Sequence, residues 1–474
     1  MSSNLHNKAM ETGFGNSPQE LEINDVPVQG EVPAWLKGTL LRNGPGAFSL
    51  EHQQLRHWFD GLAMLHRFSF DNGRVSYSNR YLESDAVNAA RKEGRISYSE
   101  FATDPCRSLF KRMTAIFDQK LTDSAKVNIA KFSDRFLALG ETPMQIEFDP
   151  QTLRKTGTFM YDPQETQHVT TVHPHFDAEG NAYNLVTNFD RVSEYRIMRI
   201  RPDGEREIVA RHKVTFPGYI HSWGMSEKHF ILVEYPFVVY PLKLLFQLRP
   251  FIENFAWKPS RGTRIFVFDR SNGALKQEIK TDAFFAFHHL NAWEEGSDLV
   301  FDLNTYEDAS IISAFYLDRL KDKTAKLPLG HMDRFRVNLE NGELRRKRLS
   351  DANIELARYD DGRFYLQPGY RYIYGVSVNT KAHSSFYNQI IRIDAQTGES
   401  RNWYEEGCYP GEPVYVARPG GADEQDGVVL SVVLDAKKGQ SFLLLLDAAD
   451  FSERARAVIP QPVLFGYHGG YYPD

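Results

Sequence analysis

Seven times along the chain an apolar or alternating run closes on a turn built from Asp, Asn or Gly, and a second strand-like run follows. The first is Phe68-Ser69-Phe70-Asp71-Asn72-Gly73, and the others fall at 145–152, 198–204, 265–273, 335–342, 391–398 and 443–450. Each reads as a β-hairpin. The apolar residues supply the strands, Asp or Asn bonds the backbone of its own turn, and Gly accepts positive φ. The turns recur roughly 50 to 80 residues apart, which suits one four-stranded unit plus its loops. The pattern predicts an all-β, seven-bladed β-propeller, with a few short helices and loops capping the active-site face. No Gly/Ser linker divides the chain, so residues 1–474 are expected to form one domain, with 1–25 as a flexible leader.

Composition narrows the function classes. The 474 residues carry a formal net charge of −6, which lacks the basic excess of a nucleic-acid binder. The aromatic share of 13% favours strands and an aromatic-lined cavity. The two cysteines, Cys106 and Cys408, exclude a disulfide framework and suit a reducing compartment. The N-terminus is polar, and no stretch has the roughly 18 apolar residues of a membrane span. A cytoplasmic protein, soluble or peripheral to a membrane, is expected. Two segments suit a membrane surface. Residues 108–117 place Leu109, Phe110, Met113, Ile116 and Phe117 on one helical face beside Arg107, Lys111 and Arg112. Residues 240–252 add Leu244, Leu245 and Phe246. The alternative for both is packing on the propeller face.

Four of the fifteen histidines stand beside strand-like runs in distant parts of the chain. They are His173 in Val172-His173-Pro174, His221 in Ile220-His221-Ser222, His288 in Phe287-His288-His289, and His468 in Tyr467-His468-Gly469. Blades of a propeller all deliver residues to one axis, so these imidazoles could meet there. An all-imidazole set suits iron, copper or zinc. His288 and His289 point to opposite faces of a strand, so only one of them can join.

At these residues the sequence resembles the carotenoid cleavage oxygenases. The likeness runs from Leu40-Leu41-Arg42-Asn43-Gly44-Pro45 and His57-Trp58-Phe59-Asp60-Gly61, through the histidine motifs, to Tyr409-Pro410-Gly411-Glu412-Pro413 and Tyr467-His468-Gly469. The resemblance implies one Fe(II) per chain, bound by His173, His221, His288 and His468. It implies that Glu141, Glu355 and Glu412 accept the other ring N–H of His221, His288 and His468, fixing tautomer and orientation. It selects His288 over His289 and leaves His175 as a neighbour or cavity-lining residue. The implied reaction is cleavage of a conjugated double bond of a carotenoid or apocarotenoid with O2 as co-substrate, needing no protein acid, base or nucleophile. Within the same family, stilbenoid cleavage or isomerisation with ester hydrolysis stays open. A propeller that only binds partners is the reading from another class. Metal content and product analysis separate these.

Overall fold

The computed structural model describes residues 2–17, 19–105, 122–163, 168–245, 249–322, 324–382 and 384–474. Seven antiparallel sheets form the blades of a propeller. In chain order, blade II starts from Asn128–Phe132, blade III from His168–Thr170 and His175–Phe176, and blade IV from Gly224–Met225. Blade V starts from Phe285–Glu295, blade VI from Glu355–Arg358, and blade VII from Cys408–Pro410 and Val414–Ala417. Each of these is the innermost strand; three more step outward from it in blades II to VI, and four in blade VII.

The seven turns read from the sequence share one position. Each joins the third and fourth strands of a blade, as Thr263–Asp269 joins Leu275–Thr281 in blade IV. The Asx bonds are present. Asp269 Oδ1 accepts from Ser271 N at 2.9 Å, and Asp394 Oδ1 from Gln396 N at 2.9 Å. Gly273, at φ +70°, lies so close to blade III that a Cβ would stand 1.9 Å from the Val209 carbonyl oxygen. Glycine is therefore required both by conformation and by the close approach of the next blade.

Strand position in the blade explains the two hydrophobic patterns. Middle strands pack against neighbouring blades on both faces, so His229–Glu234 is buried throughout. Outer strands alternate, as in Glu453–Ile459, where Ala455, Ala457 and Ile459 are buried between more exposed residues.

Ring closure uses both ends of the chain. The C-terminal strand Gly469–Pro473 pairs with Gly38–Ala47 and becomes the innermost strand of blade I. The N-terminal strand Val28–Gly30 pairs with Glu453–Ile459 and becomes the outermost strand of blade VII. Phe68, Leu40, Leu430 and Leu443 belong to the buried cluster between these two blades. The leader expected over 1–25 contains an ordered element. Helix α1, Ser2–Gly13, buries Ala9 and Met10, and Phe14 beyond it meets Phe48, Phe386 and Phe465 edge to face. His6 is buried with its ring nitrogens on Tyr409 Oη and Ser385 Oγ. Its isolated polar residues hid an amphipathic helix whose apolar stripe is short.

The closing strand tolerates no added bulk. A Cβ at Gly469 would stand 2.3 Å from the Leu41 carbonyl oxygen. Gly469→Ala is expected to cost about 1–3 kcal/mol of stability, read as a lowered denaturation midpoint.

Candidate metal centre

The inner strands bring His173, His221, His288 and His468 together, with one ring nitrogen of each within 4.8 Å of the others. Local backbone irregularities aim them. His173 lies in the break between the two short inner segments of blade III, just before Pro174, which has no N–H to continue a ladder. His288 sits within a register shift, between Ala286 and His289, in the pairing of Phe285–Glu295 with Asp298–Tyr306. His221 lies three positions before the inner strand of blade IV, and His468 immediately precedes that of blade I. His468 is fixed by its own backbone, with its N–H donating to Val127 O at 3.1 Å and its carbonyl accepting from Asn43 N at 2.9 Å.

Three imidazoles donate Nδ1–H to a carboxylate. His221 reaches Glu141 at 2.6 Å, His288 reaches Glu355 at 2.7 Å, and His468 reaches Glu412 at 2.8 Å. Each carboxylate is held by further donors. Glu141 accepts from Tyr219 Oη at 2.9 Å. Glu355 accepts from Asn304 Nδ2 at 2.5 Å and Tyr306 Oη at 3.1 Å. Glu412 accepts from Gly469 N at 3.0 Å, with Arg42 and Arg358 each 3.8 Å away. Leu356, next to Glu355, takes φ +49° and donates its N–H back to that carboxylate at 2.5 Å. This strained turn is uncommon for a branched side chain and sets the direction of Glu355.

The geometry fixes proton positions. With Nδ1 donating outward, each Nε2 keeps its lone pair and faces inward. The His173 and His221 Nε2 atoms lie 3.3 Å apart, and those of His288 and His468 lie 3.2 Å apart. For His288 and His468, both held as Nδ1 donors, the facing lone pairs repel at this distance, and a cation between them removes the repulsion. The residues therefore fit a metal ion bound by nitrogen alone. Electrostatics points the same way. Burial and then the neighbouring imidazoles hold His173 well below its ordinary pKa. Burial lowers His468 to about 4 against the pull of Glu412. Burial alone would raise Glu412, but His468, Arg358 and Arg42 together hold it at about 2. The Glu412 carboxylate thus stays charged and the His173 and His468 rings stay neutral, which is the state a metal needs.

His175 and His289 stand apart from this set. His175 bonds Tyr365 Oη and the Trp223 carbonyl, both at 3.0 Å. His289 turns away and meets Ser222 Oγ at 3.0 Å. Tyr219, Tyr306, Asn304, Arg42 and Arg358 are not among the candidate site residues legible in the sequence. Arg42 lay inside a motif already quoted; the others carry no local signal, because their role exists only once the blades close.

Two cavities meet the cluster. One, of about 210 Å³, is walled by Phe59, Phe101, Val127, Pro143, Val169 and Phe251 and reaches His221 and Glu141. A narrower space continues to His288 and His468 past Trp58, Phe287 and Phe315. The other, of about 560 Å³, is more polar and reaches His173, His288 and His468 beside Arg358, Asp361 and Tyr472. Of the residues expected at a membrane, Leu109, Phe110, Met113, Ile116 and Phe117 lie outside the described residues, as do Phe246 and the side chain of Leu245. Leu244 is half-buried against the core. Among the described residues no helix is long and apolar enough to cross a membrane.

The family model described as retinal pigment epithelial membrane protein matches residues 14–473. The human β,β-carotene 15,15′-dioxygenase is 32% identical across 98% of this chain and 95% of its own. Carotenoid cleavage dioxygenase 8 of Arabidopsis thaliana, chloroplastic, is 31% identical across 96% and 84%. Cobalt-substituted Synechocystis apocarotenoid oxygenase superposes with a TM-score of 0.88 over 99% of both chains at 24% identity, a likeness of fold.

The glutamates act through the imidazoles they hold. Glu412→Gln keeps the size but loses the charge that His468 donates to. It is expected to lower metal affinity by about 10- to 100-fold, read by competition with a chelator.

Proposed function

We propose that this chain, which belongs to the carotenoid oxygenase family, cleaves a conjugated double bond of a carotenoid or apocarotenoid with O2, using one Fe(II). The observation that carries the reading is the cluster of four imidazoles opening onto an aromatic-walled chamber. His173, His221, His288 and His468 would hold the ion. Bound ferrous iron supplies the redox chemistry that lets O2 react with an alkene.

The rest falls to the chain's own residues. Phe59, Phe101, Phe251 and Val127 line an apolar space that excludes water and orients a polyene. Ring faces such as Phe59 and Phe287 beside His221 favour positive charge developing on the polyene. Glu141, Glu355 and Glu412 hold protons on the outward nitrogens and keep the inward ones free. No Ser-His-Asp arrangement is called upon.

The purified protein is expected to contain about one iron per chain, and His221→Ala to lose it while the β-rich circular dichroism persists. Expression in a carotenoid-accumulating host, with mass spectrometry of the products, tests the reaction. Paired carbonyl fragments support cleavage. Geometric isomers without fragments would replace it with isomerisation, and no iron with no product would leave a binding propeller.

Reversible docking on a membrane surface fits a substrate of this solubility. Phe216, Tyr240 and Leu242 are exposed. The helix Leu242–Leu245 packs on the turn Phe251–Asn254, whose Phe251 lines the chamber. An apolar patch of this kind marks an interaction surface. Replacing Phe216, Tyr240 and Leu242 together with Ser is expected to weaken liposome flotation and to slow cleavage of bilayer-embedded substrate more than of detergent-dispersed substrate. Equal slowing with unchanged flotation would mark the patch as packing only.

A further inference from the structure

The apolar chamber carries a pair of charges that alkene cleavage does not use. Lys126, Glu100 and Ser124 line it together with Phe59, Phe101 and Phe251. The Lys126 and Glu100 side chains are only 6% and 5% exposed. The Lys126 ammonium donates to the Glu100 carboxylate and, at 3.1 Å, to the Asp60 carbonyl oxygen. Ser124 Oγ donates to Glu100 at 3.0 Å.

The pair is seated on a rigid base. Asp60 takes Ala102 N at 2.8 Å and Thr103 Oγ1 at 2.6 Å on its carboxylate, and His57 N at 3.0 Å. An ammonium group has three N–H donors, and two are accounted for. The third has no acceptor among the described residues.

Packing gives no reason for such a pair. Apolar residues of similar volume commonly stabilise a buried site as well as an ion pair does. Position suggests a reason. Val127, the next residue, lines both this chamber and the narrow space against His221, His288 and His468. A polyene lying along the aromatic wall would bring one end past the ammonium.

We propose that Lys126 is a substrate-binding residue whose free N–H donates to an oxygen at the end of the polyene, a hydroxyl or carbonyl. The chain would thereby select an oxygenated polyene over a hydrocarbon one. The inference rests on the polyene-cleavage reading and names the substrate class within it. A hydrocarbon end would leave the ammonium's third donor unpaired in an apolar space, and sites built to hydrogen-bond a substrate group discriminate strongly against analogues that lack it.

The test is a binding measurement that needs no turnover. A hydrocarbon polyene and its terminal-alcohol counterpart of equal length are titrated in the same detergent, with quenching of protein fluorescence as the readout. The wild-type protein is expected to bind the alcohol at least about 10-fold more tightly. In Lys126→Met the ratio is expected to fall to about one. Should that variant misfold by near-ultraviolet circular dichroism, the double variant Lys126→Met, Glu100→Met leaves neither charge unpaired and is read instead. A wild-type ratio near one, or a ratio that survives in the folded variant, overturns the proposal. Cleavage of both probes by wild-type protein is assayed in parallel. Absence of cleavage with the binding preference intact would remove the cleavage reading and leave the anchor standing.

Discussion

Glu355 and Glu412 hold the outward protons of His288 and His468, so the inward nitrogens of these rings face one another at 3.2 Å in a buried pocket as lone pairs, an arrangement that a bound cation relieves. A protonated ring here would be a charge without solvent, pressed against three like groups. Burial and mutual repulsion both disfavour it, as the depressed pKa of His173 reflects. What remains to be decided is which nitrogen of each neutral ring holds its proton. Glu141, Glu355 and Glu412 settle that for three rings by accepting it at Nδ1. A carboxylate buried for this purpose needs its own support, and Arg42, Arg358, Asn304, Tyr219 and Tyr306 supply it. The demand for neutral, aligned imidazoles thus reaches outward into a second layer of the propeller.

The propeller meets this demand because its innermost strands converge. Blades I, III, IV and V contribute the histidines, while blades II, VI and VII contribute the glutamates. Pairs form across blade boundaries, as His288 of blade V with Glu355 of blade VI and His468 of blade I with Glu412 of blade VII. The cluster therefore depends on the closed ring and on no single blade. Closure itself passes beside the site. The strand that ends the chain follows His468 directly, and its Gly469 N–H bonds the same glutamate that holds the His468 ring.

Around the cluster the fold separates two environments. Aromatic side chains from the Trp58–Asp60 turn, the loop at Phe101 and the turn at Phe251 wall one approach. Charged and phenolic groups line the other. An apolar chain is favoured on the first side by the same transfer of surface from water that builds the core. The polar recess suits small or solvated species. Apart from Glu141, which serves His221, the charges in this apolar wall are those buried at Lys126 and Glu100.

The seven hairpin turns were legible in the sequence because Asp, Asn and Gly at a turn act through their own backbone, within a few residues. That regularity was enough to predict the propeller. The four histidines were legible as candidates through their motifs, and the three glutamates through the resemblance those motifs carry. Separation of His288 from His289 followed from strand alternation, a local rule. Other features belong to tertiary structure alone. The helix at the N-terminus is seated by residues hundreds of positions away, His6 on Tyr409 and Ser385 and Phe14 on Phe386 and Phe465. The positive φ at Leu356 and the register shifts around His288 answer to packing between blades, which no local propensity encodes. The supporting tyrosines and arginines, and the seating of Lys126 against Glu100, join residues from tens to hundreds of positions apart. Short-range chemistry is written in neighbouring residues, whereas the proton positions of a buried cluster depend on partners that only chain closure brings within reach.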